Sequence, residues 1–421
     1  MFTLDLNQNP FVVAGATRME AVLTVTVDRD VKPAGHAVFG LILDVSGSMK
    51  GAVLEQAKHA AQKAIALLQP ETEFFVIAFS SKAVPVYALA PASQHDKDAA
   101  MRAIARLEAE GATCMSDALA RARDEVSKRP DARAHVVFLT DGKNNAENEG
   151  ALDAELARCE GKLQADCRGV GTDWEPAQLR RIADRLLGTA QIIPDASGLE
   201  KDFAESMARA FGRAVGNVRL RLALPRSGKV KLAFAKQMSP QILDLTAQAV
   251  TVEPQTLDLP TGAWAAGESR DFHLGFEVAG GAQGDEMMLA RPAIVSGAPE
   301  QASRGKPIIA SWTAAGDDRS ALINSHVAHY TGQVKLATDI QQGIAARSQG
   351  DYEKATVYLG RALRAAQESG NEQATLKLRE LVAEQQDGTV KLKPNVAKAK
   401  VMDLDLASVV TARAPRKAGS P

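Results

Sequence analysis

The chain has 421 residues, 45% of them hydrophobic and 24% charged, with a formal net charge of -1. That length holds two or three domains with a substantial core, and the near-neutral charge argues against a general nucleic-acid or membrane-surface binder. No uncharged stretch approaches the length of a bilayer span, and Cys114, Cys159 and Cys167 are too few and too irregular for a disulfide frame or a zinc site. The thiols read as reduced side chains packed as small hydrophobes. The first residues, Met1 to Leu6, show no basic segment followed by an apolar one, so the expectation is a cytoplasmic protein.

Leu23, Val25 and Val27 alternate with Thr24, Thr26 and Asp28, the period of a half-buried strand. Pro33-Ala34-Gly35 then breaks the chain. From His36 the pattern becomes strand, helix, strand. The apolar run Val38 to Leu43 reads as a strand buried on both faces and ends at Asp44. A helix is expected over 52–68, a strand over 74–79, an antiparallel edge partner over 84–89, and helices over 96–108 and 116–127. His135 to Leu139 forms another buried strand, ending in Thr140-Asp141-Gly142. Further strands are expected over 165–170 and 190–193, and helices over 176–187 and 199–215. This alternation predicts a doubly wound, mainly parallel sheet.

Near Gly216 the period returns to two, with Val218, Leu220, Leu222 and Leu224 on one face. Strands over 229–235, 249–252, 271–278, 287–295 and 308–312 complete an all-β region, read as an antiparallel sandwich. The simplest topology gives residues 1–35 to that sandwich and inserts the α/β domain, 36–215, between them and 216–312. Residues 313–388 read as a helical bundle. Within it the stretch from Gly350-Asp351-Tyr352 to Ala366 resembles one tetratricopeptide repeat, although such an array needs about three. Residues 389–421, basic and proline-containing, read as a flexible tail.

Asp44-x-Ser46-x-Ser48 stands just past a strand end, where α/β sheets bind their ligands. Together with Gly111-Ala112-Thr113 before a helix and Thr140-Asp141-Gly142 after a strand, it resembles the metal-ion-dependent adhesion site of von Willebrand factor type A domains. The resemblance covers residues 36–215 and implies a divalent cation, Mg²⁺ or alternatively Mn²⁺ or Ca²⁺, held by Asp44, Ser46, Ser48, Thr113 and Asp141. Hydroxyls and carboxylates suit a hard ion that wants about six oxygens. It also implies a non-enzymatic module whose partner protein offers a carboxylate to the metal. No His or Glu stands in the three loops at a spacing suited to activating water. The other reading of Asp44, Ser46 and Ser48 is a hydrogen-bonded turn.

Other residues carry weaker signals. Asp173 and Trp174 read as a helix N-cap and a packed indole, or alternatively as the border of the site. Cys114 could make the site redox-sensitive or simply be buried, and His59, His135 and His329 read as structural or surface residues. The island Met402 to Arg413 resembles a phosphothreonine docking peptide. That resemblance implies a forkhead-associated-domain protein or Ser/Thr kinase as a partner around Thr411, whereas disordered tails also carry threonines without a role. Two other functional classes remain open from sequence. One is a phosphatase or hydrolase using Asp44, which would ordinarily pair it with a second carboxylate where Ser46 stands. The other is a subunit of an ATP-driven remodelling complex, whose ATPase must be a separate chain because no P-loop is present.

Overall fold

The computed structural model describes residues 1–32, 36–130, 132–297, 300–385 and 389–414. The break at Pro33-Ala34-Gly35, and the end of the chain from 415, lie outside the described residues. The chain divides into two compact units. One comprises Met1–Val31, Val218–Thr261 and Ala266–Pro421; the other comprises Lys32–Asn217 with Gly262–Ala265.

The first unit opens with β1 (Phe2–Asn7), β2 (Phe11–Val13) and β3 (Arg18–Val27). The α/β unit follows: β4 (Ala37–Asp44), α1 (Ala52–Ala66), β5 (Thr72–Phe79), β6 (Ala83–Pro91), α2 (Gln94–Ala105), α3 (Met115–Val126) and β7 (Arg133–Thr140). It continues with α4 (Glu149–Cys159), β8 (Gln164–Val170), α5 (Pro176–Arg185), β9 (Ala190–Ile193) and α6 (Leu199–Gly212). Its six strands run in the order β6-β5-β4-β7-β8-β9. All neighbours are parallel except the edge pair β5 and β6. The strand the sequence marks as hydrophobic throughout, β4, lies inside the sheet with both faces covered. Gly40 at its middle is required by close approach: a Cβ there would sit 2.3 Å from Phe75 Cζ and 2.7 Å from Val136 Cγ1.

The exposed edge of β6 is closed by side chains from α3. Asp117 accepts the Ala83 N–H at 2.6 Å and Glu125 accepts the Leu89 N–H at 2.7 Å. Pro85 and Pro91 have no N–H to offer, so the strand presents few free donors to another chain. Helix α4 is an element the sequence reading does not include. Its Leu152 and Leu156 are buried while its polar residues are mixed around them, which blurs the helical period. The α/β unit also takes up Gly262–Ala265: the Ala263 N–H bonds Gln164 Oε1 at 3.2 Å beside Gly262, whose φ is 77°.

After α6 the chain returns to the first unit through β10 (Arg213–Ala223), β11 (Val230–Ser239), β12 (Leu243–Asp244), β13 (Val250–Glu253) and β14 (Thr256–Ala265). Then come β15 (Ser269–Val278), β16 (Glu286–Ser296), β17 (Gln301–Arg304) and β18 (Ile308–Thr313). Two sheets result. One has the order β1-β3-β15-β11-β12; the other has the order β13-β14-β10-β16-β18-β2 with β17 on β16. The segment before the α/β unit therefore shares a sheet with strands more than two hundred residues later, for example Leu23 with Phe272. The helices are α7 (Asp318–Ala321), α8 (Ser325–Ser348), α9 (Tyr352–Glu368) and α10 (Glu372–Leu381), followed by β19 (Val382–Glu384), β20 (Val390–Leu392) and α11 (Lys398–Ala407). Leu336, Ile340, Leu359, Leu363, Leu378 and Leu404 form the core between them.

The expectation of a flexible tail over 389–421 is corrected across its described part, 389–414. Helix α11 buries Met402, Leu404 and Leu406. The residues after it run alongside the β-sheet: Val409 C=O accepts the Ile242 N–H at 2.7 Å, and the Thr411 N–H donates to Pro240 C=O at 3.3 Å. Thr411, expected on a free docking peptide, also donates its hydroxyl to Met238 C=O. Arg413 then pairs with buried Asp271 at 3.2 Å, beside the Tyr330 hydroxyl that donates to the same carboxylate. The lysines around this stretch mimic the composition of disorder; the few apolar residues between them find partners from α8, α10 and β11. Arg413→Ala is expected to cost about 1–2 kcal/mol, a charged hydrogen bond discounted for partial exposure. Chemical denaturation followed by Tyr330 and backbone signals checks this, and unchanged stability would show that the strap holds nothing.

Candidate metal centre

Asp44 ends β4 and is completely buried. Its Oδ1 accepts the Ser46 N–H at 2.7 Å and its Oδ2 accepts the Thr140 hydroxyl. The first bond makes a tight turn around Val45, which lifts the chain off the strand and sets Ser46 and Ser48 side by side. Their Oγ atoms are 3.2 Å apart, and Ser48 Oγ donates to Asp141 Oδ1 at 2.6 Å. Ser46 occupies the N-cap of the 3-10 turn Gly47–Met49, yet its side chain makes no cap bond. Local turn bonding thus engages Asp44, whose carboxylate the Ser46 side chain also bonds, while the Ser48 hydroxyl is directed away from it at Asp141.

Thr113 reaches the same place from a different loop. Gly111, with φ 83°, allows the chain to double back before α3. The Gly47 N–H donates to Gly111 C=O at 3.0 Å and the Glu110 N–H to Val45 C=O at 2.8 Å, which ties this loop to the Asp44 turn. Gly142 reports the convergence: a Cβ built there would lie 3.3 Å from Ser48 Oγ, 3.3 Å from Thr113 Oγ1 and 4.0 Å from Ser46 Oγ. Three hydroxyls from two loops therefore border a space that any side chain at 142 would fill. All five residues singled out from sequence meet here.

This donor set fits a hard cation. It consists of three hydroxyl and two carboxylate oxygens, with no nitrogen or sulfur. Among the described residues there is no group of three or more His, Cys, Asp or Glu that could hold a metal ion. Burial pushes the Asp44 carboxyl up to about 6, against the opposing effect of the bonds from Ser46 and Thr140. Burial also raises Asp141, and the Asp173 charge adds to that rise. Both carboxylates are thus held where their negative charge is poorly solvated, an environment that favours a neighbouring positive charge.

Sequence reasoning named Thr140 and Gly142 only as the flanks of Asp141, and gave no role to Asn144, Asn145 or Glu147. Thr140 holds Asp44, Gly142 keeps the space open, and Asn144, Asn145 and Glu147 hold the Thr113 loop. The pair Asn144-Asn145, one residue beyond the strand-end Asp141-Gly142, was the available signal, since such side chains bond nearby backbone. Asp173 does not cap α5, whose N-cap is Glu175; it stands exposed and bears electrostatically on Asp141. Trp174 is the packed indole expected, with its Nε1 bonded to Gly171 C=O at 3.1 Å. Cys114 is partly exposed at the N-cap of α3, and burial raises its thiol. His59 is exposed opposite Glu200, His135 is buried against Asp166, and His329 bonds Ala412 C=O.

The von Willebrand factor type A domain model matches residues 40–192, and a von Willebrand factor type A C-terminal domain model matches residues 364–408. A solved structure, von Willebrand factor type A from Catenulispora acidiphila, aligns with a TM-score of 0.92 at 39% identity, over 98% of this chain and 97% of that one. The chain belongs to the von Willebrand factor type A family. A second solved structure, the ArnB paralog VWA2 from Sulfolobus acidocaldarius, shares the fold at 14% identity with a TM-score of 0.60, over 97% of this chain and 98% of that one. An uncharacterised protein of Synechocystis is 32% identical over 213 residues, 49% of this chain and 50% of that protein. Inter-alpha-trypsin inhibitor heavy chain H4 of Bos taurus is 28% identical over 190 residues, 41% of this chain and 20% of that protein. The match therefore spans about half, or less, of these curated relatives. In this von Willebrand factor type A protein the domain match contains all five candidate ligands, and the C-terminal match contains α11. Among the described residues no helix is long and apolar enough to cross a membrane.

Proposed function

We propose that Asp44, Ser46, Ser48, Thr113 and Asp141 bind a divalent cation, Mg²⁺ or a similar hard ion, and that the protein uses it to capture an acidic side chain of a partner protein. The observation that carries this reading is the convergence of three hydroxyls and Asp141 beside Gly142, above the buried carboxylate of Asp44. When bound, a cation held by mostly neutral ligands keeps an electrophilic position for an anionic ligand. The residues themselves favour binding over catalysis. Asp44 is fully buried with an oxygen committed to Ser46 and the other to Thr140, so it is badly placed to attack a phosphoester. Glu147, the glutamate nearest in the chain to Asp141, is turned to the Ser116 N–H and hydroxyl instead of a water.

Titration of the metal-free protein with Mn²⁺ or Mg²⁺ by calorimetry tests the first half. One ion per chain is expected, and Asp141→Ala should weaken it by at least about a hundredfold, the loss of a ligand exceeding the 10–100-fold typical of an outer-shell change. Partner capture should then require the cation, be lost in EDTA, and be lost in Asp141→Ala while the circular dichroism of the variant stays native. A binding isotherm indistinguishable between wild type and Asp141→Ala would refute the site.

A further inference from the structure

The N-terminus of α3 is capped in an unusual way. Its N-cap is Cys114, whose side chain makes no cap bond, so the first amides of the helix need acceptors from elsewhere. They come from the loop after Asp141, about thirty residues further along. Asn145 Oδ1 accepts the Thr113 N–H at 2.9 Å, Asn144 Oδ1 accepts the Met115 N–H at 3.1 Å, and Glu147 Oε1 accepts the Ser116 N–H at 2.8 Å. In return Thr113 C=O accepts the N–H groups of Asn145 at 3.1 Å and Ala146 at 3.0 Å. Both backbone groups of Thr113 are therefore held by one short segment. That segment is anchored on its far side, where the Asn144 N–H bonds Gln178 Oε1 of α5 at 3.3 Å.

A serine or aspartate at position 114 would cap the helix equally well by itself. Such a local cap would serve the helix without tying Met115 and Ser116 to the Asp141 loop. The Asn145 bonds to Thr113, which precedes the N-cap, are not needed by the helix at all; they join the two loops. We infer that Asn145, supported by Asn144 and Glu147, is a positioning residue that fixes Thr113 against Asp141 and so sets the cation affinity of the site. The inference rests on the metal-binding reading above. Asn145 acts through the backbone of Thr113. Asn148, three residues on, provides the contrast, because its Oδ1 accepts the Ala151 N–H of its own helix at 2.9 Å and holds no ligand loop.

The test is calorimetric Mn²⁺ binding to the full chain, paired with hydrogen exchange of the Thr113 amide in the metal-free protein. Asn145→Ala is expected to raise the Kd by about 10–100-fold, the usual effect of losing an outer-shell partner, and to deprotect the Thr113 amide. Asn145→Asp, which keeps the acceptor, should restore most of the affinity. Asn148→Ala should lower thermal stability and leave the Kd unchanged. If Asn145→Ala does not fold, Asn144→Ala carries the same test with the Met115 cap alone removed, and its Kd must rise. Wild-type affinity in these variants, while Asp141→Ala has lost the ion, overturns the positioning role and leaves the site standing. A wild-type protein that takes up no Mn²⁺ overturns both.

Discussion

Asp44→Asn is expected to abolish cation uptake while making the metal-free α/β unit more stable than wild type at pH 8. The two effects share one cause. Asp44 is fully buried, and that burial lifts its carboxyl to about 6 in the folded protein from an ordinary value near 3.8. A raised carboxyl favours the protonated form in the folded state, so metal-free stability falls as pH rises from about 4 to about 6 and stays low above that. With about 1.4 kcal/mol per unit, the ionised side chain costs the metal-free fold up to about 3 kcal/mol above pH 7. Asparagine removes the charge, and its Oδ1 still accepts the Ser46 N–H. Denaturant melts in EDTA should therefore show a gain of about 1–3 kcal/mol at pH 8 and little difference at pH 4. Saturating Mg²⁺ should stabilise wild type, by mass action, and not the variant. A variant less stable than wild type at pH 8 without metal would mean that the buried charge is not the source of strain at this strand end.

The second large effect lies at the next strand but one. Gly169 of β8 faces the indole of Trp174, and a Cβ at 169 would sit 2.0 Å from Trp174 Cε2. Trp174 is 1% exposed. Trp174→Ala should cost about 3–5 kcal/mol through the cavity it leaves. Gly169→Ala should cost about 1–3 kcal/mol, or more, by forcing the ring outward. In the double variant the added methyl occupies part of the vacated space, so the combined loss should fall short of the sum by at least about 1 kcal/mol. Strict additivity would show that the two sites do not meet. The same loop carries Asp173, whose charge raises the Asp141 carboxyl, so both single variants should also shift the pH dependence of cation uptake.

Much of the α/β unit is legible in residue order. Runs such as Val38 to Leu43 and Val136 to Leu139 are apolar throughout because helices cover both faces of the sheet, and each ends abruptly in oxygen side chains. That change of character is why Asp44 and Asp141 can be named without coordinates. Thr113 is legible only through the resemblance of Gly111-Ala112-Thr113 to the family's loop; the structure supplies the physical reason for the glycine, whose φ is positive. Thr140 escapes because a threonine closing a strand is ordinary, and only the meeting of β4 and β7 brings it to Asp44. Asn144 and Asn145 escape for a related reason. A capping side chain is normally sought beside its own helix, whereas Asn144 caps a helix that begins about thirty residues earlier and Asn145 holds the residue before that helix's N-cap.

The C-terminal stretch fails from the opposite direction. Its lysines and prolines match the composition of an unfolded segment, and Met402, Leu404 and Leu406 fall two apart, which mixes the strand and helix periods. Leu404 is buried in a cluster with Leu336, Leu378 and their neighbours, which lie elsewhere in the chain. By itself, then, the sequence determines the strands and helices whose hydrophobic period is self-consistent, and the chemical type of donor at the strand ends. Tertiary structure alone decides which strand ends meet, which loop holds which candidate ligand, and that residues 409–414 pack back onto β11 and α8. Those outcomes depend on contacts between segments whose separation along the chain leaves no local period to read.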